Sequence, residues 1–212
     1  MLEIQTFVFS PFQVNTYLII DKATRAAAII DPGCSNESEE KRLSESLRNS
    51  NVNLKYVINT HLHIDHIFGN AFLTENYEAK LIYPRGDEFL LPIMYDEAKR
   101  YGVELKRSPQ ADLFFEDLNE LQLGETKLQL LFTPGHTPGE YSLYSQQDNV
   151  CFTGDVLFFE SVGRTDLWDG DFDVLLDSIY NRLFVLPDET VVLSGHGKQT
   201  TIGYEKNYNP FL

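Results

Sequence analysis

The pattern of apolar and polar positions predicts a chain built from two β-rich halves. In the first half, runs rich in Val, Ile, Phe, Thr and Tyr are typical of strands and are separated by turn-forming residues. The predicted strands of this half are 2–9, 14–21, 25–30, 54–59 and 79–83.

A helix is predicted between the third and fourth of these strands. Asn36 and Glu39 have the spacing of a capping box at the start of a polar segment that extends to about residue 50. Leu43 and Leu47 lie four residues apart, so they share the inner face of this helix.

Two further helical stretches are expected before the second half. One begins near Asp65 and extends to about residue 75, beneath the loop that follows strand 54–59. The other covers 85–102 and is expected to be interrupted at Pro92, because proline has no N–H group to donate. The stretch from there to Pro109 is predicted to be a loop.

The second half begins near Asp112. A turn at 146–149 indicates a hairpin between two of its strands. The predicted elements are strands 127–132, 141–145, 149–153 and 190–193 and a helix over 172–185. We expect residues 1–212 to form one domain of two packed halves, since this length suits a single core.

Composition and charge exclude several classes of function. The 17 basic and 32 acidic residues give a net charge of −15, which disfavours nucleic acid and anionic lipid as partners. No apolar run reaches the roughly 18–20 residues of a membrane span, and Cys34 and Cys151 are too few for a disulfide framework. We therefore expect a cytoplasmic protein that acts on a small molecule; the oligomeric state is left open.

The five histidines are concentrated in three short segments, 60–66, 133–139 and 194–197. Four predicted strands end next to a residue that can bind a metal, and sheet scaffolds present reactive groups at strand ends. These four residues are His61, His136, Asp155 and His196. Strands of both halves are therefore expected to converge on one site, whose imidazole and carboxylate groups suit zinc, iron or manganese.

The series His61-Leu62-His63-Ile64-Asp65-His66, followed by His136, Asp155 and His196, resembles the motifs of the metallo-β-lactamase fold superfamily. The resemblance implies a mixed α/β fold, a four-layer αββα sandwich with a two-metal site at the sheet edge. It also implies the assignment of ligands: metal one is bound by His61, His63 and His136, metal two by Asp65, His66 and His196, and both by the bridging Asp155.

Within the superfamily, the sequence is most similar to short glyoxalase II-like hydrolases. Many β-lactamases carry Cys where this chain has Asp155, and the segments 163–166 and 200–212 look like the hydrolase form. Full-length glyoxalase II continues into a helical domain that helps to bind glutathione. We expect no such domain here, so the natural acyl group and thiol are left open.

The expected chemistry is hydrolysis of a thioester, of the S-2-hydroxyacylglutathione type. Two divalent ions, zinc first with iron or manganese as alternatives, favour a bridging hydroxide at neutral pH, and this metal-bridging hydroxide is the expected nucleophile. If all five histidines are ligands, none is free to act as a general base, and Asp65 is the candidate proton relay. A thiolate leaves without a proton donor because its conjugate acid has a pKa of about 8.5.

The same motifs allow other functions. A persulfide dioxygenase with one iron on His61, His136 and Asp155 would share the Gly-Arg-Thr-Asp loop at 163–166, but the turn 195–197 is typical of the hydrolases. Hydrolysis of lactones or other esters, and metal binding without catalysis, are further alternatives.

Several residues near the motifs are candidates for secondary roles. Arg164 could bind a substrate carboxylate through its planar fork or could pair with Asp166. Tyr141 and Lys198 follow ligand turns and are candidates for lining the pocket. Trp168 is predicted to be a packing residue, and Asp31 to form a turn or support a ligand histidine.

Overall fold

The computed structural model describes residues 1–212 and contains two six-stranded β-sheets. The strands of the first sheet, in chain order and in their order across the sheet, are Leu2–Phe9 (β1), Val14–Asp21 (β2), Ala26–Ile30 (β3), Asn53–Ile58 (β4), Lys80–Tyr83 (β5) and Leu113–Phe114 (β6). Strands β1 to β3 pair antiparallel, whereas β3 to β6 pair parallel.

The second sheet is formed by the other half of the chain. Its strands are Glu120–Leu123 (β7), Thr126–Phe132 (β8), Tyr141–Ser145 (β9), Val150–Gly154 (β10), Val191–Ser194 (β13) and Thr200–Thr201 (β14). Their order across the sheet is β14-β13-β10-β9-β8-β7, with β10 and β13 parallel. A separate two-stranded ribbon is formed by Leu157–Phe158 (β11) and Ser161–Val162 (β12).

Five α-helices cover the outer faces of the two sheets. They are Glu37–Asn49 (α1), Asn70–Asn76 (α2), Leu90–Tyr101 (α3), Phe172–Ser178 (α4), which continues as a π-helical turn to Leu183, and Ile202–Tyr208 (α5). None of these helices combines the length and the apolar character that crossing a bilayer requires.

Three apolar cores separate four layers in the order αββα, which confirms the predicted fold. One core lies between the first sheet and α1 to α3, one between the two sheets, and one between the second sheet and α4 and α5. Strand β2 shows how the sequence produces this arrangement. Its side chains are all buried because alternate residues face opposite sides: Leu18 and Ile20 join the first core, and Tyr17 and Ile19 join the core between the sheets.

Several predicted elements differ from the observed ones. Helix α3 is not interrupted at Pro92, because Pro92 is its third residue and lies in the first turn, where N–H groups have no partner within the helix. The helix expected from Asp65 is a single 3₁₀ turn over 64–66, followed by α2. Strands β6, β7, β11, β12 and β14 and helix α5 were not predicted; most of these strands have only two residues, too few to show a period.

Candidate metal centre

Loops from both sheets meet at one edge of the sandwich. His61 follows β4 of the first sheet, and His136, Asp155 and His196 follow β8, β10 and β13 of the second. Because β10 and β13 are parallel neighbours, the loops after them leave the sheet side by side. The structure brings all seven predicted ligands together there, in groups whose ligand atoms lie within 4.8 Å of one another.

The first group contains His61, His63 and His136, all buried. The Nε2 atom of His136 lies 2.8 Å from Nδ1 of His63, and the His61 ring centroid lies 4.8 Å from that of His63. The three rings are nearly perpendicular to one another in pairs, which directs their nitrogen atoms into a common space.

The second group contains Asp65, His66 and His196. Asp65 Oδ2 lies 3.1 Å from His196 Nε2 and 3.7 Å from His66 Nε2. The 3₁₀ turn over 64–66 turns the chain so that Asp65 and His66, although adjacent, both reach this group.

Asp155 lies between the two groups and faces ligands of both. Its Oδ2 is 3.6 Å from Nε2 of both His136 and His196, and its Oδ1 is 3.5 Å from His66 Nε2. This position is the one that a carboxylate shared by two metal ions requires.

Gly195 allows the His196 loop to approach the other ligands closely. A Cβ atom at Gly195 would lie 2.1 Å from Asp155 Oδ1 and 2.8 Å from His66 Cε1. Such a contact is far inside van der Waals distance, so any side chain here would displace two ligands.

Buried carboxyl groups support the ligand histidines from behind. Asp31 Oδ2 lies 3.1 Å from His66 Nδ1, and Asp31 Oδ1 accepts a hydrogen bond from the Thr60 backbone N–H at 2.8 Å. The Glu140 Oε1 atom lies 3.4 Å from His61 Nδ1 and accepts a 2.7 Å bond from the Asp155 N–H. Such outer partners fix the orientation of ligand side chains.

Two further residues join the ligand loops to one another. Asp87 accepts hydrogen bonds from Leu62 N–H, Thr137 Oγ1 and Gly139 N–H, which ties the His61 loop to the His136 loop. Asn15 of β2 donates through Nδ2 to the carbonyl groups of Ser194 and Gly197, on either side of His196. Hydrogen bonds therefore connect the two halves of the sandwich at the site.

Burial and mutual proximity shift the pKa values of the cluster in opposite directions. Burial, followed by the neighbouring imidazoles, lowers the pKa of His63 to about 3 and that of His61 well below its ordinary value. Burial also disfavours the charge of His66, but carboxylates, Asp65 first among them, outweigh it and raise the pKa of His66 well above its ordinary value. Burial, reinforced by the nearby Asp155 charge, raises the pKa of Glu140 well above its ordinary value.

The residues present fit a pair of divalent metal ions. Five atoms of the candidate ligands are fully buried and have no hydrogen-bond partner. Four of them are His61 Nε2, His63 Nε2, His66 Nε2 and Asp155 Oδ1, and the fifth is His66 Nδ1, which lies 3.1 Å from Asp31 Oδ2. A buried polar atom without a partner is costly, and a cation held by the cluster would pair with the first four of these atoms. Imidazole and carboxylate donors without thiolate suit zinc, iron and manganese alike.

The cluster opens into a cavity of about 200 Å³. Arg164 borders this cavity, and its guanidinium makes two hydrogen bonds with Asp166, at 2.7 and 2.8 Å. Trp168, assigned from the sequence to packing, also borders the cavity, and its ring centroid lies 5.3 Å from that of His63.

Two other predicted lining residues lie elsewhere. Tyr141 packs against Phe115, with ring centroids 4.9 Å apart, next to the core between the sheets. The Lys198 Nζ atom lies 3.5 Å from the ring centroid of Phe159, over a neighbouring surface pocket. Each follows a ligand turn in sequence, but the chain direction after the turn carries its side chain away from the cavity.

Glu140, Asp87 and Asn15 belong to the site, but the sequence around them is not enough to predict this. A single carboxylate or amide in a strand or turn has no distinctive spacing, so only the three-dimensional contacts reveal its role. Glu140 offered one signal, since it directly follows the Gly-flanked turn that contains His136.

Comparison with known proteins gives the same family as the ligand motifs. Residues 9–196 match the model described as the metallo-beta-lactamase superfamily. The chain is 36% identical over 213 residues to hydroxyacylglutathione hydrolase GloC of Haemophilus influenzae, covering 100% of this chain and 98% of that protein. Among solved structures, it superposes on the BLEG-1 B3 metallo-beta-lactamase with a TM-score of 0.89, at 33% identity and 99% coverage of both chains. It superposes on TTHA1623, solved in a di-iron-bound form, with a TM-score of 0.85, at 32% identity and coverage of 98% and 100%. The chain belongs to the metallo-beta-lactamase superfamily.

Proposed function

We propose that this metallo-hydrolase cleaves thioesters of the S-2-hydroxyacylglutathione type. The observation that carries the proposal is the cluster itself: seven side chains that can bind metal converge on one cavity, and every histidine of the chain is among them. The relative named hydroxyacylglutathione hydrolase, similar over nearly the whole of both chains, supports the same substrate class.

His61, His63 and His136 would hold one ion and Asp65, His66 and His196 a second, with Asp155 shared between them. When bound, the two cations supply Lewis-acid activation of water and of the substrate carbonyl. Asp31 and Glu140 lie against His66 and His61, and Asp87 joins the loops that carry His61 and His136, so buried carboxyl groups would help to keep the ligands in place.

Asp65 is the proposed proton relay. Its carboxylate is buried within the cluster. Burial alone would raise its pKa, but the charge of His66 and the hydrogen bond and charge of His196 together outweigh burial and lower the pKa below its ordinary value. An ionised carboxylate at this position can accept a proton at Oδ2 and release it toward the cavity.

The supply of protons for the leaving group favours a thioester over an amide as the substrate. Neither cysteine lies at the cavity, since both are buried in the outer cores, and no serine or lysine borders it. Asp65, the proposed relay, is ionised because its pKa is lowered, so it holds no proton at the start of the reaction that it could give to a poor leaving group. A thiolate leaves without such help because the pKa of its conjugate acid is about 8.5.

A substrate panel tests the proposal. Protein loaded with zinc should cleave S-2-hydroxyacylglutathione without oxygen and should be slower on a β-lactam and on a simple lactone. Oxygen uptake with glutathione persulfide by iron-loaded protein, without thioester cleavage under either condition, would instead support the dioxygenase alternative. That alternative would use only His61, His136 and Asp155 and would leave four clustered ligands without a metal.

A further inference from the structure

One side of the cavity is formed by three aromatic side chains from distant parts of the chain. Phe12 lies in the loop between β1 and β2, Tyr101 is the last residue of α3, and Trp168 lies in the loop between β12 and α4. We call these three residues the aromatic wall. Met94 and Leu167 extend the same apolar surface.

The aromatic wall stands directly beside the metal ligands. The Trp168 ring centroid is 5.3 Å from that of His63, and Phe12 contacts Tyr101 edge to face with centroids 5.4 Å apart. Tyr101 is nevertheless 59% exposed, so this surface is open to an incoming group rather than closed by packing. A substituent on the carbonyl carbon of a substrate bound at the cluster would therefore lie next to the aromatic wall.

The backbone around the wall is held in an unusual conformation. Ser10 and Gln13, on either side of Phe12, have φ values of 59° and 57°, and Trp168 itself has φ of 34°. Left-handed backbone is unfavourable for residues other than glycine, so the surrounding fold holds these side chains in position against a local cost.

The two charged side chains that border the cavity outside the cluster, Arg164 and Glu97, are each paired with another side chain of the protein. Arg164 is the only lysine or arginine that borders the cavity, and its guanidinium donates to Asp166 through Nε and one of its two terminal nitrogen atoms. Glu97, the carboxylate nearest the wall among the lining residues outside the cluster, accepts a 2.6 Å hydrogen bond from Arg100. Outside the metal cluster, the side of the cavity that carries the wall therefore offers a substrate carboxylate no cationic side chain other than Arg164, which is paired with Asp166.

We infer that the aromatic wall selects substrates whose acyl group carries a bulky apolar substituent, preferably an aromatic ring. The inference rests on the proposed thioester hydrolysis and specifies its acyl side. The acyl side is favoured because common biological thiols continue from sulfur into polar amide and carboxylate groups, which this wall cannot pair. The cavity of about 200 Å³ is large enough, since a cavity of about 150 Å³ in another protein binds benzene.

The test compares two thioesters that differ only in this substituent, S-mandeloylglutathione with a phenyl group and S-lactoylglutathione with a methyl group. In metal-loaded protein, kcat/KM should be at least about tenfold higher for the mandeloyl compound, since even one methylene in an apolar pocket is worth about tenfold or more. The S-lactoyl thioester of benzyl mercaptan should show no comparable gain, which separates recognition of the acyl side from that of the thiol side.

Tyr101→Ala should reduce the mandeloyl preference at least about threefold, the order of one aromatic contact. Tyr208→Ala is the matched control, because Tyr208 is also the last residue of a short helix, is 66% exposed and contacts one aromatic neighbour, Tyr204, at 5.0 Å. The control should keep the wild-type preference. Phe12→Leu provides a second variant that preserves an apolar side chain where Phe12 packs on Phe68.

A binding measurement separates this inference from the proposed function. Trp168 is the only tryptophan, so its fluorescence reports on the wall directly. Mandelate should change the emission with a Kd at least about tenfold lower than that of lactate. Equal cleavage of both thioesters, with emission unaffected by mandelate, would overturn the inference and leave thioester hydrolysis standing. Selective mandelate binding without cleavage of any thioester would support the inference and overturn the proposed function.

Discussion

Replacing Asp155 by Asn changes the charge of the shared carboxylate with almost no change in shape. Asp155 is fully enclosed by ligands of both groups, with Oδ2 3.6 Å from nitrogen atoms of His136 and His196. A unit positive charge at that distance interacts with the carboxylate by about 4–5 kcal/mol, at an effective dielectric constant of about 20. Even if the site recovers part of this by relaxation, we expect kcat/KM for the thioester to fall at least about a hundredfold, or about 2.7 kcal/mol.

The assay is steady-state kinetics together with metal analysis of the same preparation, since the variant is expected to lose metal as well as rate. Asp173→Asn is the matched control, because it removes the same charge from an exposed residue of α4 that is not one of the candidate ligands. The control should retain wild-type kinetics. Near wild-type turnover by Asp155→Asn, with both ions still bound, would refute the bridging role and the reasoning from charge.

Three other predictions follow from the cluster. Protein purified without chelator should contain close to two divalent ions per chain by elemental analysis, because two groups of three candidate ligands lie on either side of Asp155. One ion at full occupancy, with no second recovered on titration, would contradict this. Glu140→Gln should change kcat less than about threefold, because the raised pKa of Glu140 keeps that carboxyl protonated. Glu140→Ala should lower the free energy of unfolding by about 1–3 kcal/mol, because it leaves the Asp155 N–H unpaired. A loss of kcat and of stability in Glu140→Gln equal to that in Glu140→Ala would contradict a neutral Glu140. Chelator-treated protein should melt at a lower temperature as the pH falls from about 6.5 to about 3. In this range the imidazole of unfolded His63 takes up a proton, whereas that of folded His63, with a pKa of about 3, stays neutral. His63→Gln should make the melting temperature depend less on pH, and an unchanged dependence would rule out His63 as its source.

The fold and the clustering of the seven candidate ligands could be predicted because both have a regular signal. Strand β2 and its neighbours are long enough to show their composition, and α1 has both a cap at Asn36 and a buried pair, Leu43 and Leu47. The ligands come from few residue types at strand ends, so their sequence spacing carries the motif. Elements of two residues, such as β11 and β14, have no period and were missed for that reason.

The substrate side of the site could not be predicted in the same way. The aromatic wall joins Phe12, Tyr101 and Trp168, which lie in three loops or helix ends and share no spacing. Tyr141 and Lys198 were nearer to ligands in sequence, yet the structure directs them elsewhere. Adjacency in sequence places a backbone near the site, but the direction of each side chain depends on packing by other segments.

The metal ligands themselves are the part of the chain that is least suited to an ordinary core. Of the five buried ligand atoms without a hydrogen-bond partner, a cation held by the cluster would pair with four, three on histidines and one on Asp155. At about 1–3 kcal/mol for each such atom, the four together would cost about 4–12 kcal/mol, comparable with the whole stability of about 5–15 kcal/mol of a typical domain. A bound cation that pairs with these atoms would remove that cost, so we expect metal to stabilise the fold as well as to supply the chemistry. The supports given by Asp31, Asp87 and Asn15 then have a second purpose, since they hold an arrangement that the ligands alone would not maintain.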